Sequence, residues 1–112
     1  MTIDFRSSSL NLTGGSGTKK VFGSVVFPTN VSRAELMLNA FKVDFADDDH
    51  HINVMEIDTD LGGHPPAAGE TVPPPAIQGG RVRFTVTCQY ADKNFDDSYS
   101  GYVTVVVIAD RA

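Results

Sequence analysis

Residues 101–109 constrain the fold of this chain more than any other segment. They read Gly-Tyr-Val-Thr-Val-Val-Val-Ile-Ala, and such a run of β-branched residues is typical of a strand. Alternate side chains of a strand point to opposite faces, and here both faces are apolar. One face carries Val103, Val105, Val107 and Ala109, and the other carries Tyr102, Thr104, Val106 and Ile108. We therefore expect a second layer or a second subunit to cover each face of this strand.

Three further segments alternate between apolar and polar residues and predict strands, at 19–27, 51–61 and 81–90. The segment 81–90 has the clearest alternation, which is typical of a half-buried antiparallel strand. Its predicted inward-facing residues are Val82, Phe84, Val86, Cys88 and Tyr90.

The segment 30–45 fits two structures. Ser32 and Glu35 have the spacing of a helical capping box, and some apolar residues recur near helical spacing. Apolar residues also alternate on one parity before Asn39 and on the other parity after it. One extra residue near Asn39 and Ala40 would explain this change of phase, so we favour a bulged strand.

Length and strand spacing together predict an all-β fold, an antiparallel β-sandwich of about six strands with a long Pro-rich loop. The 112 residues suffice for one domain, which we place at residues 19–112. Residues 1–18 are rich in Gly and Ser and predict a leader that is flexible or pairs loosely at a sheet edge. Residues 62–80 hold five of the six prolines and predict a poorly ordered or functional loop.

The charge of the chain argues against nucleic acid as a partner. The formal net charge is −5, whereas nucleic-acid-binding surfaces concentrate Lys and Arg. No apolar stretch is long enough to cross a bilayer, so we expect no membrane insertion. The single cysteine, Cys88, cannot form a disulfide within the chain and is interpreted as a small buried apolar residue.

A cluster of acidic and histidine residues between 44 and 51 predicts a divalent metal site at Asp48, His50 and His51. The alternative is a solvated turn, because neighbouring residues of a strand point to opposite faces and do not converge on one ion. We favour the solvated turn and expect no other cofactor.

Aromatic, acidic and amide residues gather around the connection 91–100 and predict a shallow ligand-binding site. An aromatic ring can stack on the C–H groups of a sugar while carboxylates and amides bind its hydroxyls. The candidate residues are Tyr90, Asp92, Asn94, Asp96, Asp97 and Tyr99. The alternative is that Tyr90 and Tyr102 are core or interface residues, with their hydroxyls satisfied at the rim.

From Val21 to Asp110, the order of elements resembles that of H-type lectins. The shared features are a short strand ending at Phe27-Pro28, a long apolar strand, an acidic His-bearing turn and a valine-rich last strand. The resemblance implies a six-stranded sandwich that forms trimers or hexamers and binds N-acetylgalactosamine-like sugars. No binding residue of that family is assigned to a position of this chain.

These observations predict a non-catalytic, oligomeric β-sandwich that binds a glycan ligand. The alternative is a structural subunit of a larger assembly, such as a phage-tail-like or surface assembly, that packs against copies of itself or a partner chain. A third hypothesis, a metal-dependent hydrolase, would use His50, His51 and the neighbouring aspartates.

Overall fold

Two antiparallel sheets pack face to face in the computed structural model, which describes residues 1–46, 52–91 and 96–112. The strands are β1 (Thr2–Leu12), β2 (Lys19–Val26), β3 (Val31–Phe45), β4 (Val54–Leu61), β5 (Ile77–Gln78), β6 (Arg81–Ala91) and β7 (Tyr99–Arg111). The described residues contain no helix, and thus none long and apolar enough to span a membrane. The predicted all-β sandwich of about six strands is confirmed. The described residues form seven strands, of which β5 has only two residues.

Each sheet has one of the most apolar strands at its centre. Sheet A has the order β1-β7-β3, and sheet B has the order β2-β6-β4 with β5 also paired to β6. All of these pairs are antiparallel. The inward faces of β6 and β7 meet in the core. The fully buried residues on these two strands are Val82, Phe84, Val86, Cys88, Tyr99, Val103, Val105 and Val107.

Strand β3 is bulged where the sequence changes phase. Its register against β7 shifts between Leu38 and Ala40. Leu38 pairs with Val105 and Phe41 pairs with Val103, so apolar residues of both parities face the same side. The bulge therefore resolves the conflict between the two sequence patterns, and the predicted strand is confirmed over the helix.

The predicted leader contributes a full strand. All 11 residues of β1 pair with β7 at the edge of sheet A, including the polar run 7–9. At its start, the guanidinium of Arg111 binds the carboxylate of Asp4, with 2.9 Å between Nε and Oδ2. After its end, the side chain of Lys19 donates to the carbonyl of Gly15 at 2.9 Å. Pairing at a sheet edge was one of the two outcomes that the composition left open.

The Pro-rich loop 62–80 lies along β6 on the outer side of sheet B. The amide of Gly62 donates to the carbonyl of Arg83 at 2.8 Å, and the amide of Arg83 donates to that of Ala76 at 2.7 Å. The Arg83 guanidinium also donates to the carbonyl of Pro75 and the side chain of Gln78, each at 2.9 Å. These bonds fix the loop at both ends although most of it has no regular structure.

Candidate binding surface

Two of the predicted ligand-binding residues lie inside the sandwich. Tyr99 has no exposed surface, and its hydroxyl donates to the carbonyls of Gly17 at 2.6 Å and Cys88 at 3.0 Å. Tyr90 is buried as well, with its ring centroid 4.4 Å from that of Phe45. Neither ring offers a face on which a sugar could stack, so both contribute to packing, which is the alternative interpretation of Tyr90.

The remaining predicted site residues are divided between described and undescribed segments. Asp92 and Asn94 lie outside the described residues, while Asp96 is exposed and Asp97 is half-buried. The predicted metal ligands Asp48, His50 and His51 also lie outside the described residues. Elsewhere, in residues 1–46, 52–91 and 96–112, no three His, Cys, Asp or Glu side chains are grouped so that they could hold an ion.

Burial also determines the protonation of the two ionisable groups that meet beneath the turn 13–18. Burial, and then the neighbouring Cys88, raise the pKa of Tyr99 to about 12. Burial likewise raises the pKa of the Cys88 thiol. Both groups are therefore uncharged near neutral pH, and the thiol lacks the thiolate character of a reactive cysteine.

The outer face of sheet A carries an exposed apolar surface, which we call the outer patch. It is built from all three strands, because cross-strand register places β1, β7 and β3 residues side by side. Its members are Ile3, Phe5, Met37, Val106 and Ile108. Ile3 and Phe5 are each 57% exposed and Met37 is 50% exposed, whereas Val106 and Ile108 in the central strand are half-buried.

The outer patch bears on the expected cover of β7. The sequence predicts cover on both faces of this strand, yet only the face with Val103, Val105 and Val107 is buried within the chain. The four-stranded sheet B covers that inner face, and among the described residues no layer covers the other one. Cover of this face by a second subunit, the other alternative, stays a prediction.

Polar residues border the outer patch at both ends. At one end Asp110 pairs with Arg33 of β3, and Glu35 lies opposite Ile108. At the other end a row crosses the sheet from Asn11 through Tyr102 to Lys42. An apolar centre with charges at its rim is the usual anatomy of a protein interface.

Tyr102 differs from the other two tyrosines in its exposure. It is 41% exposed, with an amide side chain at Asn11 on one side and an ammonium at Lys42 on the other. Lys42 also forms an exposed ion pair with Asp44, with 3.6 Å between Nζ and Oδ2. This row brings together an accessible ring and hydrogen-bonding groups, the combination that the sequence placed at Tyr90 and Tyr99.

The chain matches no protein-family model, no curated protein and no solved structure. Sequence reasoning located the β7 part of the outer patch but not its β1 part, because Ile3 and Phe5 precede a run of three serines. The alternation of Ile3 and Phe5 with polar residues is the signal that indicates a strand there.

Proposed function

We propose that the chain is a non-catalytic binding module that works as an oligomer, with the outer patch of one copy packed against the outer patch of a second. The observation that carries this proposal is the exposure of Ile3, Phe5 and Met37 around the two apolar residues of β7. Contiguous apolar surface of this kind marks interaction sites on proteins. Burying it removes apolar area from water, which is the main favourable contribution to association.

A contact between the outer patches of two copies is a two-fold contact. Asp110, Glu35 and Arg33 border the patch at one end, and Lys42 lies beyond the other end with its ion-pair partner Asp44. A two-fold axis that runs across the strands and is centred on the patch leaves the row of Asn11, Tyr102 and Lys42 of each copy outside the contact.

The size of the outer patch fits a weak contact. Three strands of about six residues give roughly 300 Å² per copy. Two such areas come to roughly 600 Å², below the roughly 1,200 Å² that separates weak and transient interfaces from stable ones. A contact of this size predicts a dimer whose stability depends on protein concentration.

The mass in solution tests this proposal. We expect sedimentation to show a species of at least twice the 12.0 kDa of one chain, which dissociates on dilution. Phe5→Lys and Met37→Lys place a charge in the patch from opposite edges of sheet A and should each raise the dissociation constant. Val72→Lys, at a 71% exposed position in the loop 62–80, is the matched control. A wild-type chain that sediments at 12.0 kDa at every concentration would contradict the proposal.

The Tyr102 row supports a glycan as the ligand of this module. The exposed ring can stack on a sugar face, while the Asn11 amide and the Lys42 ammonium can bind sugar hydroxyls. An oligomer presents several such rows, and multivalency raises the avidity of weak sites. The resemblance to H-type lectins gives N-acetylgalactosamine as the first sugar to test.

Two variants of Tyr102 distinguish a glycan-binding module from a purely structural subunit. Tyr102→Ala should abolish binding on a glycan array and in titration with N-acetylgalactosamine, whereas Tyr102→Phe keeps the stacking ring and should retain most of it. Absence of binding by the wild-type oligomer would leave the structural subunit of a larger assembly as the function. In that case the purified chain would bind a partner chain or further copies of itself.

A further inference from the structure

The sandwich is incompletely closed on one side. β3 and β4 are edge strands that lie on the same side of the molecule, and β1 and β2 are edge strands on the other. On the β3/β4 side, four large apolar side chains belong to the inward faces of their sheets but are 38–46% exposed. They are Leu38, Phe41, Met55 and Leu61. We call this region the open side.

The two edge strands of sheet B carry charges of opposite sign. β4 has three exposed carboxylates, at Glu56, Asp58 and Asp60, and no basic residue. β2 has Lys19 and Lys20 and no acidic residue. Within the parts of the chain that the structure describes, neither the β4 carboxylates nor Lys20 take part in an ion pair.

Both strands also have backbone groups available for pairing. β2 and β4 are eight residues long, and each is paired along one side only, with β6. An unpaired strand edge is a template for a strand of another chain. Exposed apolar side chains lie on both, Phe22 and Val26 on β2 and Met55 and Leu61 on β4.

We propose that the open side of one copy receives the β1/β2 side of a second copy, with β4 of the first pairing with β2 of the second. The charges select this head-to-tail arrangement. A β4–β4 contact would bring two sets of three carboxylates together, and a β2–β2 contact would bring two Lys20 side chains together. Lys19 lies on the inner face, opposite Cys88, and donates to the carbonyl of Gly15. Only the β4–β2 contact places a lysine beside carboxylates.

The geometry of sheet B is compatible with such a repeat. β2 and β4 are each antiparallel to β6 and therefore run in the same direction. A second copy added with its faces and strand direction preserved brings its β2 parallel to β4 of the first. Lys20 of β2 and Asp58 of β4 both pair with Thr87 of β6, from its two sides. Glu56 of β4 pairs with Gln89, which faces the same outer side of the sheet. The lysine and the carboxylates thus share one face of the extended sheet.

A head-to-tail contact has a consequence that a two-fold contact lacks. Its repetition closes into a ring if the rotation between copies allows it, and otherwise grows into a filament. Combined with the two-fold contact through the outer patch, a closed ring would give paired rings. The β4–β2 contact does not depend on the outer patch, since β2 and β4 belong to sheet B and the patch lies on the outer face of sheet A.

Charge reversal on either edge tests the proposal. Lys20→Glu places acidic residues on both edges of sheet B, and Asp58→Lys places a lysine on both. Each variant alone should raise the dissociation constant of the head-to-tail contact by about tenfold or more, as a loss of about 1.4 kcal/mol requires. An equal mixture of the two variants, or the double variant Lys20→Glu with Asp58→Lys, should recover assembly. Glu70→Lys in the exposed loop is the control for a change of net charge.

These measurements are made in the Phe5→Lys background as well as in the natural sequence, so that failure of the two contacts is distinguishable. Loss of mass in Phe5→Lys alone reports on the outer patch, and further loss in Lys20→Glu reports on the edges. Far-ultraviolet circular dichroism checks that each variant keeps its strands. Two results would overturn the proposal: unchanged masses in both single variants, or a mixture of the two that does not recover assembly. The charges would then serve to prevent the edge strands from pairing with other chains.

Discussion

The ring of Phe84 lies directly against the backbone of Gly23, its cross-strand partner in sheet B. A Cβ atom at residue 23 would lie 2.5 Å from Cζ and 2.7 Å from Cε2 of this ring. Phe84 is one of the largest fully buried side chains, so its ring has little freedom to move aside. The absence of a side chain at Gly23 thus makes room for an aromatic residue in the core.

Gly23→Ala should therefore destabilise the fold. We expect the free energy of unfolding to fall by about 1–3 kcal/mol, since overpacking of a filled core costs that much. Denaturant unfolding followed by circular dichroism measures it. Gly14→Ala is the matched control, because a Cβ there meets only the Ser98 hydroxyl at 3.9 Å. Equal stability of the two variants would contradict the close contact with Phe84.

Removal of the Tyr99 hydroxyl should also reduce stability. Tyr99→Phe leaves the carbonyls of Gly17 and Cys88 without this buried donor. The expected loss is about 1–2 kcal/mol in the free energy of unfolding. Tyr102→Phe removes a hydroxyl from an exposed ring and should change stability by less than about 0.5 kcal/mol, as surface substitutions usually do. The same loss in both variants would argue against a stabilising role for the buried hydroxyl.

Strands with a buried face could be predicted from the sequence, because burial imposes alternation. The inward residues of β6, from Val82 to Tyr90, are all buried as predicted. The β3 bulge was visible as a change of phase near Asn39, because a bulge moves later residues to the opposite parity. In these segments the side-chain pattern alone carries the structural information.

Other features depend on contacts that composition does not encode. The serines at positions 7–9 pair with β7 through the backbone, so the strand β1 needs no apolar pattern there. Tyr99 was predicted at an exposed site because aromatic and acidic residues are adjacent in sequence, but the first residue of β7 points into the core. The outer patch and the open side are exposed because of the way the two sheets overlap. The sequence of a single strand does not indicate this overlap.

The ion pair between Asp4 and Arg111 predicts a dependence of stability on acidic pH. The hydrogen bond from Arg111, then that from the Phe5 amide, lower the pKa of Asp4 from 3.8. A lowered pKa contributes stability above 3.8 that is lost as the pH falls through the folded-state value. Asp4→Asn should therefore be less stable than the natural chain near neutral pH, and urea unfolding should show this difference shrinking in acid. Glu70→Gln, in the exposed loop, is the control, and an unchanged difference in acid would contradict the ion pair.

Tyr99 predicts a second dependence on pH, in the alkaline range and of opposite direction. Burial, together with Cys88, raises its pKa from 10.0 to about 12, so folding favours the neutral phenol. This contribution is fully present below pH 10 and is lost as the pH rises through about 12. Phenolate absorbance should show one tyrosine titrating near 12, and Tyr99→Phe should remove that step while Tyr102→Phe keeps it. If no step near 12 were seen and Tyr99 titrated near its ordinary value of 10.0, water would reach its hydroxyl, and the bonds to Gly17 and Cys88 would not seal it from solvent.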